Sequence, residues 1–294
     1  MSSSVDINKQ PLVTVYITTC NRSTLLIRAV DSVLIQMYKN IELIIVNDNS
    51  TDNTREILEG FQLQYKNIKI LHNENKIGAC EARNAAILHA KGEFVTGLDD
   101  DDYYNDVSRI EKFVKFWFED KKYSKKVLFD DVKVKTRFGI INRKKNNLAT
   151  NQNLRTSNSV GSQIFALRET YIDCGLFDPL MPMWQDWDIC YRISKMGFVF
   201  INIQKFSYTV DKSHNFNRIS KLDDNAVRTA MSRLITKINN CSEKEKTKLL
   251  TVALTYQKVN LRLSDLTQLI KYNEFLFLLK FPILKSLNLL GVGK

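Results

Sequence analysis

Four consecutive aspartates, Asp99, Asp100, Asp101 and Asp102, follow directly on the apolar run EFVTGL at 93–98. Adjacent carboxylates repel one another and are costly to keep ionised unless a cation or solvent neutralises them. Hard divalent ions such as Mg²⁺ and Mn²⁺ take oxygen ligands, keep several waters and bridge to diphosphate oxygens. The run therefore reads as a cation and diphosphate site; the structural alternative is an acidic turn capping a helix that opens near Asp106. A second acidic constellation is Trp184-Gln185-Asp186-Trp187-Asp188, at the start of a helix continuing through Arg192. A carboxylate in a first helical turn is favoured there by the helix dipole. Asp186 is thus both an N-cap candidate and, if a hydroxyl comes within reach, a competent proton acceptor. Trp184 and Trp187 flank it, placed either to stack on a sugar face or to pack beneath the helix. Asp188 and Arg192, four apart with the acid first, form a structural ion pair.

These groups need elements to hold them. Residues 12–19 (LVTVYITT) are a near-continuous β-branched run, followed by Asn-Arg-Ser and a helical pattern from Leu25 to Met37. A second apolar run, IELIIV at 41–46, leads through NDNSTDNT into an amphipathic stretch ending near Phe61, with Asn53 and Glu56 at capping-box spacing. A third, Ile68 to Leu71, precedes a loop with Gly78 and a helix from about Ala79 to Ala90; the strand before the aspartates is the fourth. Alternating strands and helices predict an α/β fold with a mostly parallel, doubly wound, Rossmann-like sheet flanked by helices. Ligands of such sheets sit beyond the carboxyl ends of the strands, so Thr19, Asn21, Asp48 and Asp99 to Asp102 converge on one edge.

Beyond the fourth strand the pattern is less regular. A helix carries Phe113, Phe116 and Trp117, strands follow from Val127 to Arg143, and the polar residues 144–160 read as a mobile loop able to close over a ligand. From about Asn217 the chain is basic and helix-rich. Its last stretch, YNEFLFLLKFPILKSLNLLGVGK, interleaves Lys280, Pro282 and Lys285 with Phe and Leu, and no run reaches the ~18 uncharged apolar residues of a spanning helix. It reads as a segment lying in a membrane interface or as a tail helix docked on the core.

The 294 residues carry a formal net charge of +11, which suits an anionic membrane face, a phosphate-rich substrate or nucleic acid. No RNA-reading motif or ordered aromatic platform accompanies that charge, so no nucleic-acid partner is expected. Five scattered cysteines form no CxxC pair and no cluster with the three histidines, which points to a reducing, cytoplasmic compartment. The opening MSSSVDINKQ lacks the basic start and apolar core of a secretory signal.

Four ordered segments, VTVYITTCNR, IELIIVNDNSTDNT, NKIGACEARNAAILHAKGEFVTGLDDDD and MWQDWDICYRI, resemble the family 2 glycosyltransferases, enzymes with a nucleotide-binding GT-A fold. The resemblance covers roughly residues 11–210. It implies a GT-A domain over 1–215, with a nucleotide-binding half at 11–102 and an acceptor-binding half at 103–215, and a helical, possibly membrane-associating extension over 216–294. It also implies that Thr19, Asn21, Arg22 and Asp48 hold the nucleotide, Asp48 accepting from uracil N3–H as a pure acceptor should. Arg83 faces the nucleotide or its phosphates, its alternative being a surface arginine on a helix. The family pattern Leu-Asp-x-Asp-Asp starts at Leu98, which puts Asp99 near the ribose, Asp100 beside the nucleotide-sugar and Asp101 on a Mn²⁺ or Mg²⁺ ion. His214 falls where some GT-A enzymes bring a histidine to that metal; a histidine in a polar loop is otherwise a surface residue. Asp186 matches the family's catalytic base, with Trp184, Gln185 and Trp187 around the acceptor. The chain departs from the family at Gln185, usually Glu, at Thr18, often Pro, and at Cys20, often Tyr and here expected to be a buried packing group.

The resemblance thus implies a metal-dependent inverting hexosyltransferase. Its donor would be a UDP-sugar, UDP-glucose or UDP-galactose, and its acceptor an undecaprenyl-diphosphate-linked saccharide. The setting implied is O-antigen or surface-polysaccharide synthesis, in the cytoplasm and peripheral at the inner face of the membrane. The alternative is a non-catalytic nucleotide-sugar or RNA-binding protein on the same scaffold.

Overall fold

The computed structural model describes residues 10–161, 163–214 and 223–289. Its first half is three βα units and a fourth strand: β1 (Val13–Thr19), α1 (Ser23–Leu34), β2 (Ile41–Asn47), α2 (Thr54–Gln64), β3 (Ile68–His72), α3 (Ala79–His89) and β4 (Phe94–Asp99). β1 lies between β2 and β4, parallel to both, and β3 is parallel to β2 on the outside. β1, β2 and β4 are buried on both faces, which is why they read as continuous apolar runs. Alternation then sorts the side chains. Val13, Val15 and Ile17 of β1 join Leu43 and Ile45 of β2 in one core with α1, whereas Tyr16, Ile44 and Val46 point to the opposite core with α3.

The expected helices and strands largely form, but the second half of the sheet is mixed where a mostly parallel one was expected. The order is β3-β2-β1-β4-β9-β6-β10-β5, with β7 on β6 and β8 on β10. β9 (Phe165–Leu167) is antiparallel to β4 and β6, while the long strands β6 (Lys126–Thr136) and β10 (Val199–Asp211) run parallel to each other. β5 (Tyr103–Tyr104) and β8 (Leu148–Ala149) pair antiparallel with β10, and β7 (Gly139–Arg143) does so with β6. Apolar periodicity reports burial and not strand direction, so it carries no warning of these short returning strands.

Two local expectations also give way. Asn53 makes no side-chain cap; Asp52 does that work, its carboxylate accepting from Thr54 N at 3.1 Å and from Ser23 N of α1 at 3.3 Å. The polar stretch 144–160 contains β8 and a one-turn helix α5 (Asn151–Leu154), with Ala149 and Leu154 fully buried. Lys145 donates to the Val160 carbonyl at 2.7 Å and is held near Phe129; burial pulls its pKa down to about 8. Arg155 forms an ion pair with Glu245.

After α4 (Arg109–Glu119), α6 (Arg168–Asp173) and α7 (Gln185–Lys195), the chain ends in α8 (Asp224–Lys237), α9 (Glu243–Leu254), α10 (Leu263–Lys271) and α11 (Phe275–Leu289). Val227, Leu234, Leu250 and Leu254 bury in the same core as Trp187 and Ile189 of α7. The predicted Asp188–Arg192 pair forms at 2.9 Å, and Lys237 of α8 reaches the same fully buried Asp188 at 2.6 Å. No described helix is long and apolar enough to cross a membrane.

Gly97 in β4 is a point of close packing that leaves no room for a side chain. A Cβ there would lie 2.1 Å from Gln163 Oε1 and 2.5 Å from the ring of the buried Tyr16. Gly97→Ala is expected to cost about 2 kcal/mol through overpacking, read as a lowered urea midpoint; an unchanged midpoint would show that the neighbours yield freely.

Candidate active site

Because β1, β2 and β4 run parallel, their carboxyl ends open on the same side, and the chain leaving each strand carries polar residues into a single cleft of about 1020 Å³. Thr19, Asn21, Arg22, Asp48, Arg83, Asp99 to Asp102, Trp184, Gln185, Asp186 and Trp187 all line it. His214 lies against Asp101, its Nε2 3.3 Å from Oδ2.

The side of the cleft formed by the loops after β1 and β2 is braced from within. Asn21, in a left-handed conformation (φ 56°), accepts from Thr51 N at 2.7 Å, tying the loop after β1 to the loop after β2. Asp48 is 4% exposed and accepts from Ile77 N at 2.8 Å, Gly78 N at 2.9 Å and Asn73 Nδ2 at 3.1 Å. It therefore organises the loop before α3, where Gly78 takes the positive φ of 87° that a side chain would resist. A carboxylate offers about four lone-pair positions, so three such bonds leave room for one further donor.

The acidic run divides into four roles by geometry. Asp102 turns inward and accepts from Tyr208 OH and Asp211 N, both at 2.9 Å. Asp99 accepts from Gln163 Nε2 at 2.9 Å and pairs with Arg83 at 3.2 Å. Asp100 pairs with Arg22 at 2.7 Å; burial pushes its carboxyl up to about 6, with Arg22 opposing the rise and Asp101 adding to it. Asp101 meets both Arg22, at 3.4 Å, and His214, and its backbone carbonyl accepts from Arg28 at 2.7 Å. Arg28 also pairs with Asp211 at 2.6 Å, which fixes the end of β10 beside the run.

Asp101 and His214 offer one carboxylate oxygen and one imidazole nitrogen, a donor pair that Mn²⁺ accepts readily. No group of three or more acidic, His or Cys side chains is poised for a metal among the described residues. Such a pair would suit an ion that takes its remaining oxygen ligands from outside the protein.

Across the cleft, α7 begins after Trp184, whose backbone is left-handed (φ 59°) and whose Nε1 donates to Tyr256 OH at 2.8 Å. Burial raises the Tyr256 hydroxyl to about 12, so it stays a neutral partner. Trp187 is 1% exposed and donates to the Leu154 carbonyl at 2.7 Å, so of its two possible placements it takes the one beneath the helix. Asp186, in the first turn, accepts from Asn158 Nδ2 at 2.7 Å. Cys20, expected to be buried, is only half-buried and lines the cleft.

Arg83 connects the two walls. One guanidinium nitrogen donates to Gln185 Oε1 at 2.7 Å and the other to Asp99, and the group sits over Phe177 at 5.4 Å. Burial is the largest influence and disfavours its charge, but Asp99, Tyr16, Cys80 and Asp186 together outweigh that and raise its pKa. The surface-arginine alternative is thereby set aside. Asn158, Gln163 and Tyr256 are site residues that the sequence reading missed. Asn158 sat within the polar stretch read as a loop, and tertiary packing alone brings Tyr256 to the cleft and Gln163 to Asp99.

Comparison with known proteins bears on the family and the fold. The family model described as Glycosyl transferase family 2 matches residues 14–175. The glycosyltransferase GlyG of Streptococcus pneumoniae serotype 4 is 44% identical over 91 residues, 31% of this chain and 30% of that protein. The GalNAc(5)-diNAcBac-PP-undecaprenol beta-1,3-glucosyltransferase of Campylobacter jejuni is 40% identical over 93 residues, 31% of this chain and 30% of that protein. The matched stretch thus spans about a third of these relatives. Among solved structures, S. aureus TarS 1-349 in complex with UDP-GlcNAc superposes with a TM-score of 0.65 at 18% identity, covering 89% of this chain and 79% of that one. The mannosyltransferase PcManGT from Pyrobaculum calidifontis in complex with GDP-Man and Mn²⁺ does so with a TM-score of 0.59 at 15% identity, covering 96% and 85%. At such identities these two speak for the fold, which is GT-A. Since the family match takes in more than half of the chain, from β1 through the acidic run to α6, the chain belongs to glycosyl transferase family 2.

Proposed function

We propose that this glycosyltransferase moves a hexose from a UDP-sugar, with UDP-glucose or UDP-galactose favoured, to a hydroxyl of a lipid-diphosphate-linked saccharide, with inversion. One observation carries the reading: an acidic run suited to a diphosphate and an isolated carboxylate, Asp186, line opposite walls of one cleft that Arg83 spans. In a single displacement the acceptor oxygen forms the new bond to the anomeric carbon as the bond to UDP breaks. The hydroxyl proton passes to Asp186, and an α-linked donor gives a β-linked product. Residues 11–102 bind the nucleotide and residues 103–215 present the acceptor, with Trp184 the wall against which its sugar rests. Asp101 and His214 would hold a Mn²⁺ or Mg²⁺ ion, which when bound supplies Lewis-acid stabilisation of the leaving diphosphate. Arg22 adds fixed positive charge beside it.

Asn158 positions the base. Its amide holds Asp186 Oδ2 and leaves the other oxygen for the acceptor. Asn158→Ala should lower kcat about tenfold to a hundredfold without changing UDP affinity, as expected when a reacting group is misplaced. Steady-state kinetics with calorimetry of UDP binding checks this, and an unchanged kcat removes Asn158 from the role.

Membrane proximity fits the acceptor class. The helix α11 turns Phe277, Leu278 and Phe281 toward the core but leaves Phe275, Leu276, Leu279 and Ile283 exposed. On this reading the enzyme works in the cytoplasm, peripheral at the inner face of the membrane, in O-antigen or related surface-polysaccharide synthesis. The testing experiment is UDP release from a panel of UDP-sugars, with Mn²⁺ or chelator, with and without a GlcNAc- or GalNAc-diphosphate-lipid. Metal-dependent, acceptor-stimulated release from one donor supports the reading. Tight UDP binding with no release from any donor overturns it in favour of a binding protein.

A further inference from the structure

The hairpin formed by β6 and β7 is built against the usual rules for a solvent-facing turn. Thr136 pairs with Gly139, so the two-residue tip is Arg137-Phe138, where Asn and Gly are the usual choices. Phe138 at that tip is 79% exposed. The returning strand has no other sheet neighbour among the described residues, and every residue from 137 to 144 is exposed.

Strand alternation puts Ile140 and Ile141 on opposite faces of the hairpin, at 60% and 49% exposure. A surface that packs on a folded partner is apolar on one face. This hairpin instead carries exposed apolar side chains at its tip, Phe138, and on each face, Ile140 opposite Lys135 and Ile141 opposite Val134, which suits entry into a continuous apolar medium. Basic side chains form a collar among and below them: Arg137 beside Phe138, Lys133 opposite Asn142, Lys135, which also pairs with Asp211, and Arg143 and Lys144 at the base. Apolar side chains interleaved with a cationic collar match an anionic bilayer, whose headgroups attract the collar while the acyl region takes Phe138 and the isoleucines. Arg143 also lines the catalytic cleft, so the base of the hairpin stands at the mouth of the site.

We infer that the β6–β7 hairpin is a wedge that dips into an anionic lipid surface and sets the cleft mouth at the headgroup level. The inference rests on the lipid-linked acceptor proposed above and locates the surface that meets the lipid. It concerns an element separate from α11.

The test is sedimentation of the whole protein with phosphatidylglycerol-containing and with purely phosphatidylcholine vesicles, without donor or acceptor, so that it is independent of turnover. Wild-type protein is expected to partition onto the anionic vesicles, less so at high salt because the collar is screened. Phe138→Asp combined with Ile141→Asp should lower that partitioning at least tenfold while leaving transfer to a water-soluble acceptor at its wild-type rate. Phe138→Trp, which preserves the apolar tip, should bind as wild type and show a vesicle-induced blue shift of its added fluorescence. Absence of wild-type binding, equal binding by the double variant, or no blue shift overturns the wedge. So does concentration-dependent self-association that the double variant abolishes, since the hairpin would then join two copies of the chain.

Discussion

Asp186→Asn is expected to lower kcat by about 10³-fold while UDP-sugar affinity stays within a factor of two or so, because a positioned general base contributes roughly 10²–10⁴-fold. The substitution keeps shape and keeps an oxygen able to accept from Asn158 Nδ2, so it removes basicity while retaining the packing of the first turn of α7. Loss of a negative charge in that turn weakens the helix by only about 0.5 kcal/mol. Among the described residues no hydrogen bond or ion pair joins Asp186 to the acidic run, whose partners include Arg22, Arg83, His214, Gln163 and Tyr208. Single-turnover transfer, calorimetric UDP binding and circular dichroism together separate the chemical step from binding and folding. A variant that transfers at even a tenth of the wild-type rate would move the base elsewhere.

Asp101→Ala is expected to reduce kcat/KM by about 10³-fold, roughly 4 kcal/mol of transition-state stabilisation, and to abolish the dependence of UDP binding on Mn²⁺. Its effect on folding should be small, within about 1 kcal/mol. Arg22 retains Asp100 at 2.7 Å, Arg28 bonds the backbone carbonyl and not the side chain, and removing one of several crowded carboxylates relieves repulsion. Titration with Mn²⁺ followed by paramagnetic resonance, alongside urea denaturation, tests both halves. Wild-type Mn²⁺ and UDP affinity in the variant would exclude Asp101 as a ligand.

The half that runs from β1 to the acidic run was legible because its physics is local. β-Branched runs buried on both faces declare β1, β2 and β4, and the rule that ligands gather at the carboxyl ends of parallel strands brings Thr19, Asp48 and Asp99 to one edge from sequence alone. The second half was less so, because its decisive contacts join distant segments. Nothing near Asn158 in the sequence marks it as a partner of Asp186. The stretch 144–160 looks like a polar loop, since the two residues that anchor it, Ala149 and Leu154, are sparse within it. Trp187 is read as a sugar platform or a core residue with equal ease until Leu154 supplies a carbonyl for its indole. The antiparallel strands carry the same apolar alternation as parallel ones, which left direction unread.

The bond from Trp184 to Tyr256 bears on how such an enzyme can change over time. A bulky aromatic at φ 59° is held against its own preference, and the hydroxyl that restrains it comes from just beyond α9, some seventy residues later in the chain. The turn that launches α7, and with it Asp186, is therefore shared property of two distant stretches of the gene. Recombination that exchanges the C-terminal helices for those of a relative will keep this turn aligned only if the incoming segment brings a hydroxyl to that spot, so the α7 wall and the tail are inherited as a linked pair.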